Sequence, residues 1–324
     1  MPQLRHKGSS SARHSLHEPK VSAMREHDGK GMRIAIASGK GGTGKTTVAV
    51  NLAWFLAFCR QHVQYLDCDV EEPNGHIFLK PQFQEKKPAR VMVPVIDTAK
   101  CTSCGECGKK CQFHALVNLP GNTLLFPELC HGCGLCALVC PTRAISEAER
   151  EIGVVETGTG AGGVGFVHGV LNVGEPMAGP LIRQVKQEYL PKHIQIIDAP
   201  PGTSCPVVKS ISDADAVILV TEPTPFGLHD LKIAVTVAET LAKPIGIVIN
   251  REQGRFEPLV DYIALRRLKI LATFSEDREV AELYATGSIV SAQLPAYRQR
   301  MADLAVNLGR LFGASSWKEE RCDL

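Results

Sequence analysis

Neither sign of charge dominates this chain: 36 Lys and Arg stand against 34 Asp and Glu, a formal net of +2. Such a balance leaves no basic footprint for nucleic acid and no acidic interaction tail. The first thirty residues scatter His, Ser, Arg and Glu and lack the apolar stretch of a secretory signal. No run approaches the ~20 apolar residues that a membrane span requires, so a membrane partner is not expected. Residues 1–31 read as a disordered leader or an upstream extension, since Met24 within it and Met32 just after it could each be a start. What the chain has in quantity is cysteine, twelve in all. Without a secretory signal these are expected as reduced, metal-ligating thiols in a cytoplasmic protein rather than as disulfides.

Eight of the twelve form two copies of one pattern, twenty-nine residues apart. The copies are Cys101-x2-Cys104-x2-Cys107-x3-Cys111 and Cys130-x2-Cys133-x2-Cys136-x3-Cys140, the second followed by Pro141. A run of this spacing gives three thiolates to one [4Fe–4S] cluster and its fourth to the neighbouring cluster. Two clusters are therefore expected, one on Cys101, Cys104, Cys107 and Cys140, the other on Cys130, Cys133, Cys136 and Cys111. Zinc sites pair their ligands across a longer loop, which this spacing does not provide. The flanks repeat as well, Cys111-Gln-Phe-His-Ala-Leu against Cys140-Pro-Thr-Arg-Ala-Ile. Gln112 departs from the pattern, which places proline there, but removes no ligand. Residues 95–149 are thus expected to be a small inserted α+β domain of bacterial ferredoxin type.

A second motif begins at Met32. Arg33-Ile-Ala-Ile-Ala-Ser38 is the short apolar run of a buried parallel strand. It leads into Gly39-Lys-Gly-Gly-Thr-Gly-Lys-Thr46, which fits G-x-x-x-x-G-K-[ST], and a helix is expected through Thr47, Val48, Asn51, Leu52, Phe55 and Leu56. Strand, loop and helix in that order are the context a phosphate loop needs. Gly39, Gly41, Gly42, Thr43 and Gly44 can turn backbone N–H groups toward phosphate, and the helix N-terminus adds partial positive charge. Lys45 is placed to reach the β- and γ-phosphates of ATP, and the Thr46 hydroxyl to hold Mg²⁺.

Lys40 is a second lysine in that loop. Lys-Gly-Gly-x-Gly-Lys-Thr is the deviant Walker A form, and the chain resembles the MinD/Mrp/nitrogenase-iron-protein class of P-loop ATPases. The resemblance extends from Met32 to about residue 312. It implies an α/β P-loop NTPase fold with a mostly parallel sheet, formed here by 32–94 and 150–313, with 314–324 left as a tail. It implies a homodimer in which Lys40 reaches the partner's phosphates in the manner of an arginine finger. By the same resemblance Asp69, at the end of His62-Val-Gln-Tyr-Leu-Asp-Cys-Asp69, orients or deprotonates the attacking water. Asp198, which ends the apolar strand Ile194-Gln-Ile-Ile-Asp198, contacts Mg²⁺, and Gly202 turns toward the γ-phosphate. Asn250, ending Ile245-Gly-Ile-Val-Ile-Asn250, reads the adenine edge or simply occupies a turn.

Other segments lead to plainer expectations. Gly158–Gly169 lacks the lysine and following helix of a phosphate loop and is expected as a flexible loop beside the dimer face. Cys205 follows Asp198 by seven residues; it is expected as a small buried residue, and Cys59 and Cys68 as structural. Leu304, Leu308, Leu311 and Phe312 recur at helical spacing and are expected to dock on the ATPase core rather than on a membrane. Three functions remain open. The leading one is ATP-dependent electron transfer between redox donor and acceptor proteins not identified by the sequence. The others are an iron–sulfur or metal carrier resembling Mrp-type scaffolds, and a MinD-like positioning or redox-sensing switch. Carriers use a C-x2-C pair outside any ferredoxin fold, and Cys59, Cys68, Cys205 and Cys322 form none.

Overall fold

The computed structural model describes residues 31–311, together with an antiparallel ladder between β1 (Val21–Met24) and β13 (Trp317–Glu320). Strand β1 falls inside the stretch expected as a disordered leader. The rest of that leader, most of the tail, Phe312 and Cys322 lie outside the described residues.

From β2 (Arg33–Ala37) the chain passes through α1 (Lys45–Phe58), β3 (Val63–Asp67) and α2 (Gly75–Leu79) to the long strand β4 (Gln82–Ile96). Next come α3 (Glu106–Lys110), the hairpin β5 (Leu116–Leu119) and β6 (Asn122–Leu125), and α4 (Leu135–Leu138). The chain returns along β7 (Ile145–Thr159) and β8 (Gly165–Leu171), then alternates α5 (Gly179–Gln187), β9 (Ile194–Asp198), α6 (Cys205–Ile211) and β10 (Ala216–Thr221). It finishes with α7 (Pro225–Thr240), β11 (Ile245–Glu252), α8 (Glu257–Leu265), β12 (Lys269–Ser275), α9 (Arg278–Ala285), α10 (Val290–Gln293) and α11 (Pro295–Leu311).

Nine strands make one sheet in the order β12-β11-β10-β2-β9-β3-β8-β7-β4. The seven from β12 to β8 are parallel, while β7 and β4 join antiparallel at the edge. The architecture is therefore α/β with a mostly parallel sheet, as expected. Successive residues of a strand face opposite sides, and β2 divides its side chains accordingly. Ile34 and Ile36 enter the core under α1, α10 and α11, whereas Ala35 and Ala37 enter the core under α5, α6, α7 and α8. Because both faces are covered, β3, β9 and β10 are buried along their whole length, which accounts for the unbroken apolar run Ala216–Val220 of β10, while Gln64, Asp67, Gln195 and Asp198 are buried polar groups within β3 and β9. Leu304 and Leu308 of α11 are fully buried and Leu311 packs beside them, so this helix docks on the sheet. Among the described residues no helix is long and apolar enough to cross a membrane.

The β4/β7 hairpin carries the cysteine block. Its strands pair from Gln82↔Thr159 to Ile96↔Ile145, so residues 97–144 project from its tip. Two expectations change here. Gly158–Gly169 is not a flexible loop: it is the end of β7, a short turn and most of β8. Its glycines serve close approach, since a Cβ on Gly158 would stand 2.4 Å from the Gln82 carbonyl oxygen and one on Gly169 2.8 Å from Val70. Cys205 is exposed rather than buried, because it begins α6 where the chain leaves the sheet, and Val207 and Ile211 face the core instead. Cys68 is fully buried, in keeping with a structural role.

Candidate nucleotide site and cysteine cavities

The loop between β2 and α1 opens into a cleft of about 660 Å³. Lys40, Gly41, Gly42, Gly44, Lys45, Thr46, Thr47, Asp69 and Asn250 all line it. Gly42 and Gly44 take φ of 80° and 87°, a left-handed backbone that favours glycine. Gly44 precedes Lys45 with no side-chain cap, and the first turn of α1 holds no acidic residue. The free N–H groups of that turn are thus left for an anion. Gly39 and Thr43 build the loop from behind. A Cβ on Gly39 would strike the Asp230 carbonyl oxygen at 2.4 Å, and the Thr43 hydroxyl is buried without a partner. Asn250 donates its amide to the Thr43 carbonyl at 2.8 Å, so it supports the loop from the end of β11 besides facing the cleft. Gly202, with φ of 92°, donates its N–H to the Ser38 carbonyl at 3.1 Å and so tethers the loop after β9 to the phosphate loop.

Under the cleft lies a buried charge cluster. Lys45 Nζ meets Asp198 Oδ1 at 2.6 Å and approaches the Thr46 hydroxyl at 3.4 Å. Tyr65 donates its hydroxyl to Asp198 Oδ2 at 2.7 Å. Burial opposes the Lys45 charge, but the Asp198 charge and hydrogen bond outweigh it and hold the ammonium above its ordinary range. Asp67 accepts the Asp69 N–H at 3.2 Å and the Gly75 N–H at 2.9 Å, closing the turn after β3. Burial, then the Asp198 charge, push Asp67 up to about 8. Asp69 is half-buried, and burial raises it to about 6 despite the nearby Lys45. Lys40 stays at the rim and pairs with Glu222 at 3.3 Å, while Arg251 pairs with the same carboxylate at 2.8 Å.

Tyr65 and Glu222 were not anticipated, because an all-buried strand and a Glu-Pro turn carry no local signal for these partners. Tyr65→Phe tests the first. Hydrogen bonds to charged groups are worth about 1.5–3 kcal/mol. Urea unfolding of the variant should show a loss in that range, with weakened Mg²⁺-dependent nucleotide binding. Unchanged stability would mean that Tyr65 does not hold Asp198.

The eight cysteines gather in two groups. Cys101, Cys104, Cys107 and Cys140 surround one cavity, and Cys111, Cys130, Cys133 and Cys136 another. Left-handed backbone recurs at the sequence period: Ser103 with Gly132, Gly105 with Gly134, and His114 with Arg143 all have positive φ. The repeat is therefore one of chain path as well as of ligands. The Ala144 N–H reaches Cys140 Sγ at 3.2 Å, and the Asn118 amide reaches Cys107 Sγ at 3.7 Å. Among the described residues no three His, Cys, Asp or Glu converge as a single metal ion requires. Four thiols around each cavity fit the ligand set of an iron–sulfur cluster.

The family profile described as the CobQ/CobB/MinD/ParA nucleotide binding domain matches residues 34–290. Uncharacterized protein MJ0579 of Methanocaldococcus jannaschii is 31% identical over 268 residues, 79% of this chain and 90% of that one. An iron-sulfur cluster carrier protein of the same organism is 28% identical over 226 residues, 67% of this chain and 59% of its own. Pyruvate synthase subunit PorD of Thermotoga maritima is 39% identical over 79 residues, 23% of this chain and 80% of PorD. Among solved structures, the cell division ATPase MinD of Pyrococcus furiosus superposes with a TM-score of 0.52 at 20% identity, covering 87% of this chain and 99% of that one. That likeness is one of fold.

Proposed function

The chain belongs to the CobQ/CobB/MinD/ParA nucleotide-binding family, and from that membership we propose an ATPase that couples nucleotide-driven closure of a homodimer to electron transfer. Electrons pass through an inserted ferredoxin domain, residues 95–149, in a cytoplasmic protein serving redox donor and acceptor proteins. The observation that carries this reading is the grouping of cysteines: two sets of four, each around its own cavity, at the tip of a hairpin rooted in the ATPase sheet. When bound, two [4Fe–4S] clusters supply one-electron transfer.

The protein's own groups do the rest. Lys45 exchanges Asp198 for the β- and γ-phosphates of ATP, leaving Asp198 and Thr46 to hold Mg²⁺. Gly41, Gly42 and Gly44 present the loop N–H groups to phosphate, and Thr47 lies in the first turn of α1 behind them. Asp69 orients the attacking water, and Lys40 leaves Glu222 to stabilise charge on the partner's transferring phosphoryl group. Gly202, freed from Ser38, senses the γ-phosphate. ATP alters the electron-transfer state only insofar as it binds the closed and open dimers with different affinity.

An anaerobic, EPR-monitored redox titration with ADP, then with a non-hydrolysable ATP analogue, tests the coupling. A tenfold change in the reduced-to-oxidised ratio, about 59 mV for a one-electron couple, is the expected scale. Potentials and partner affinity that are both indifferent to the nucleotide would defeat the proposal.

The resemblance to an iron-sulfur cluster carrier protein favours a second reading, delivery of a cluster to an apo-protein. Rapid appearance of iron and sulfide in an apo-acceptor, dependent on ATP, would support delivery over electron transfer.

A further inference from the structure

Arg150 lies on β7, opposite Val91 of β4. Its guanidinium forms a two-pronged pair with Glu175, Nη1 to Oε2 at 2.5 Å and Nη2 to Oε1 at 3.1 Å. The Glu175 side chain is only 4% exposed. Arg150 Nε is buried and has no hydrogen-bond partner. The segment carrying Cys130 crosses β4 at the same level: the Cβ position of Gly132 is 3.0 Å from the Met92 carbonyl oxygen and 3.9 Å from Val91. The loop holding Glu175 is tied in turn to the nucleotide side. The Leu171 N–H donates to the carbonyl of Val70, the residue after Asp69, at 2.9 Å. Asn172 then donates to the Ile152 carbonyl at 2.9 Å, and Glu175 to the Asn172 carbonyl at 3.0 Å.

We propose that the Arg150–Glu175 pair tunes the electron affinity of the group held by Cys111, Cys130, Cys133 and Cys136, and that the Val70–Leu171 joint couples the pair to the loop bearing Asp69. This inference rests on the iron–sulfur reading above. An added electron is favoured by nearby positive charge and opposed by negative charge, most strongly where water is excluded. Both members of the pair are positioning residues, since neither ligates. Removing the guanidinium leaves an uncompensated carboxylate, and removing the carboxylate leaves an uncompensated guanidinium. The two losses therefore act with opposite sign. A purely structural role would disturb the site in one direction whichever partner were lost.

The experiment is the EPR redox titration of the full chain and its variants, with the couple belonging to this set identified by its loss in Cys130→Ser. Arg150→Gln should lower the reduced fraction at fixed potential about tenfold, a fall of about 59 mV. Glu175→Gln should raise the potential of the same couple, and Arg150→Lys should leave it near wild type; the other couple should not move. The difference between ADP and the ATP analogue should vanish in Glu175→Gln. Shifts of one sign, or none, in protein carrying its full iron overturn the tuning role, and a nucleotide difference that survives Glu175→Gln overturns the coupling. Should Arg150→Gln fail to fold, the sign in Glu175→Gln and the retention in Arg150→Lys decide the matter. A wild type without [4Fe–4S] signals or iron overturns the iron–sulfur reading itself, and this inference with it.

Discussion

Replacing Lys45 by methionine is expected to abolish ATP turnover and to destabilise the nucleotide-free protein by about 3–5 kcal/mol, the cost of removing one partner of a buried ion pair. Lys45 and Asp198 have side chains 7% and 1% exposed, so water cannot replace the missing ammonium. Tyr65 would remain on one oxygen of Asp198 while the other lost its partner. The double variant Lys45→Met with Asp198→Asn should recover most of the stability, because removing both charges spares the desolvation cost that stranding one incurs. It should recover none of the turnover, since the phosphate and Mg²⁺ contacts are both gone. Urea unfolding and phosphate release measured on both variants beside wild type check this. A single variant as stable as wild type would mean that Asp198 is not buried as a paired carboxylate.

Lys40→Ala is expected to have the opposite profile, with turnover lower by roughly 10³-fold and stability within about 1 kcal/mol of wild type. The Lys40 side chain is 35% exposed, and its pair with Glu222 lies at the cleft rim, where ion pairs contribute little. A decisive check mixes Lys40→Ala with Lys45→Met. In a mixed dimer the first subunit binds ATP and the second lends it an intact Lys40, so activity should return although each variant alone is inert. No recovery in mixtures shown to exchange subunits would place Lys40 in its own subunit's site. Glu222→Gln supplies the converse, since an unpaired Lys40 is freer to cross to a partner.

The parallel part of the sheet and the phosphate loop were legible because their physics is local. A strand buried on both faces favours an unbroken apolar run, as in Ala216–Val220, and a loop that cradles phosphate needs glycine where φ is positive. The grouping of cysteines was legible for a similar reason, a spacing repeated twice. The β4/β7 hairpin escaped notice because Gln82–Lys87 is mostly exposed and polar at the sheet edge, with alternation beginning only at Ala89, Val91 and Val93. The glycines after Thr157 look like a loop in one dimension, yet they permit the contact of β7 with β4. Partnerships across long separations, such as Tyr65 with Asp198 or Arg150 with Glu175, leave no trace in spacing. They depend on which strands become neighbours.

That hairpin also has a mechanical meaning. β8 pairs with β7 only as far as Gly153↔Leu171, and Ile145–Ile152 extends past it alongside β4. Eight residues at about 3.4 Å each make an arm of roughly 27 Å. A tilt of about ten degrees at its root would sweep the tip through roughly 5 Å on that length. Small rearrangements where Val70 meets Leu171 would thus be geared up into a displacement large enough to make or break an encounter with another protein.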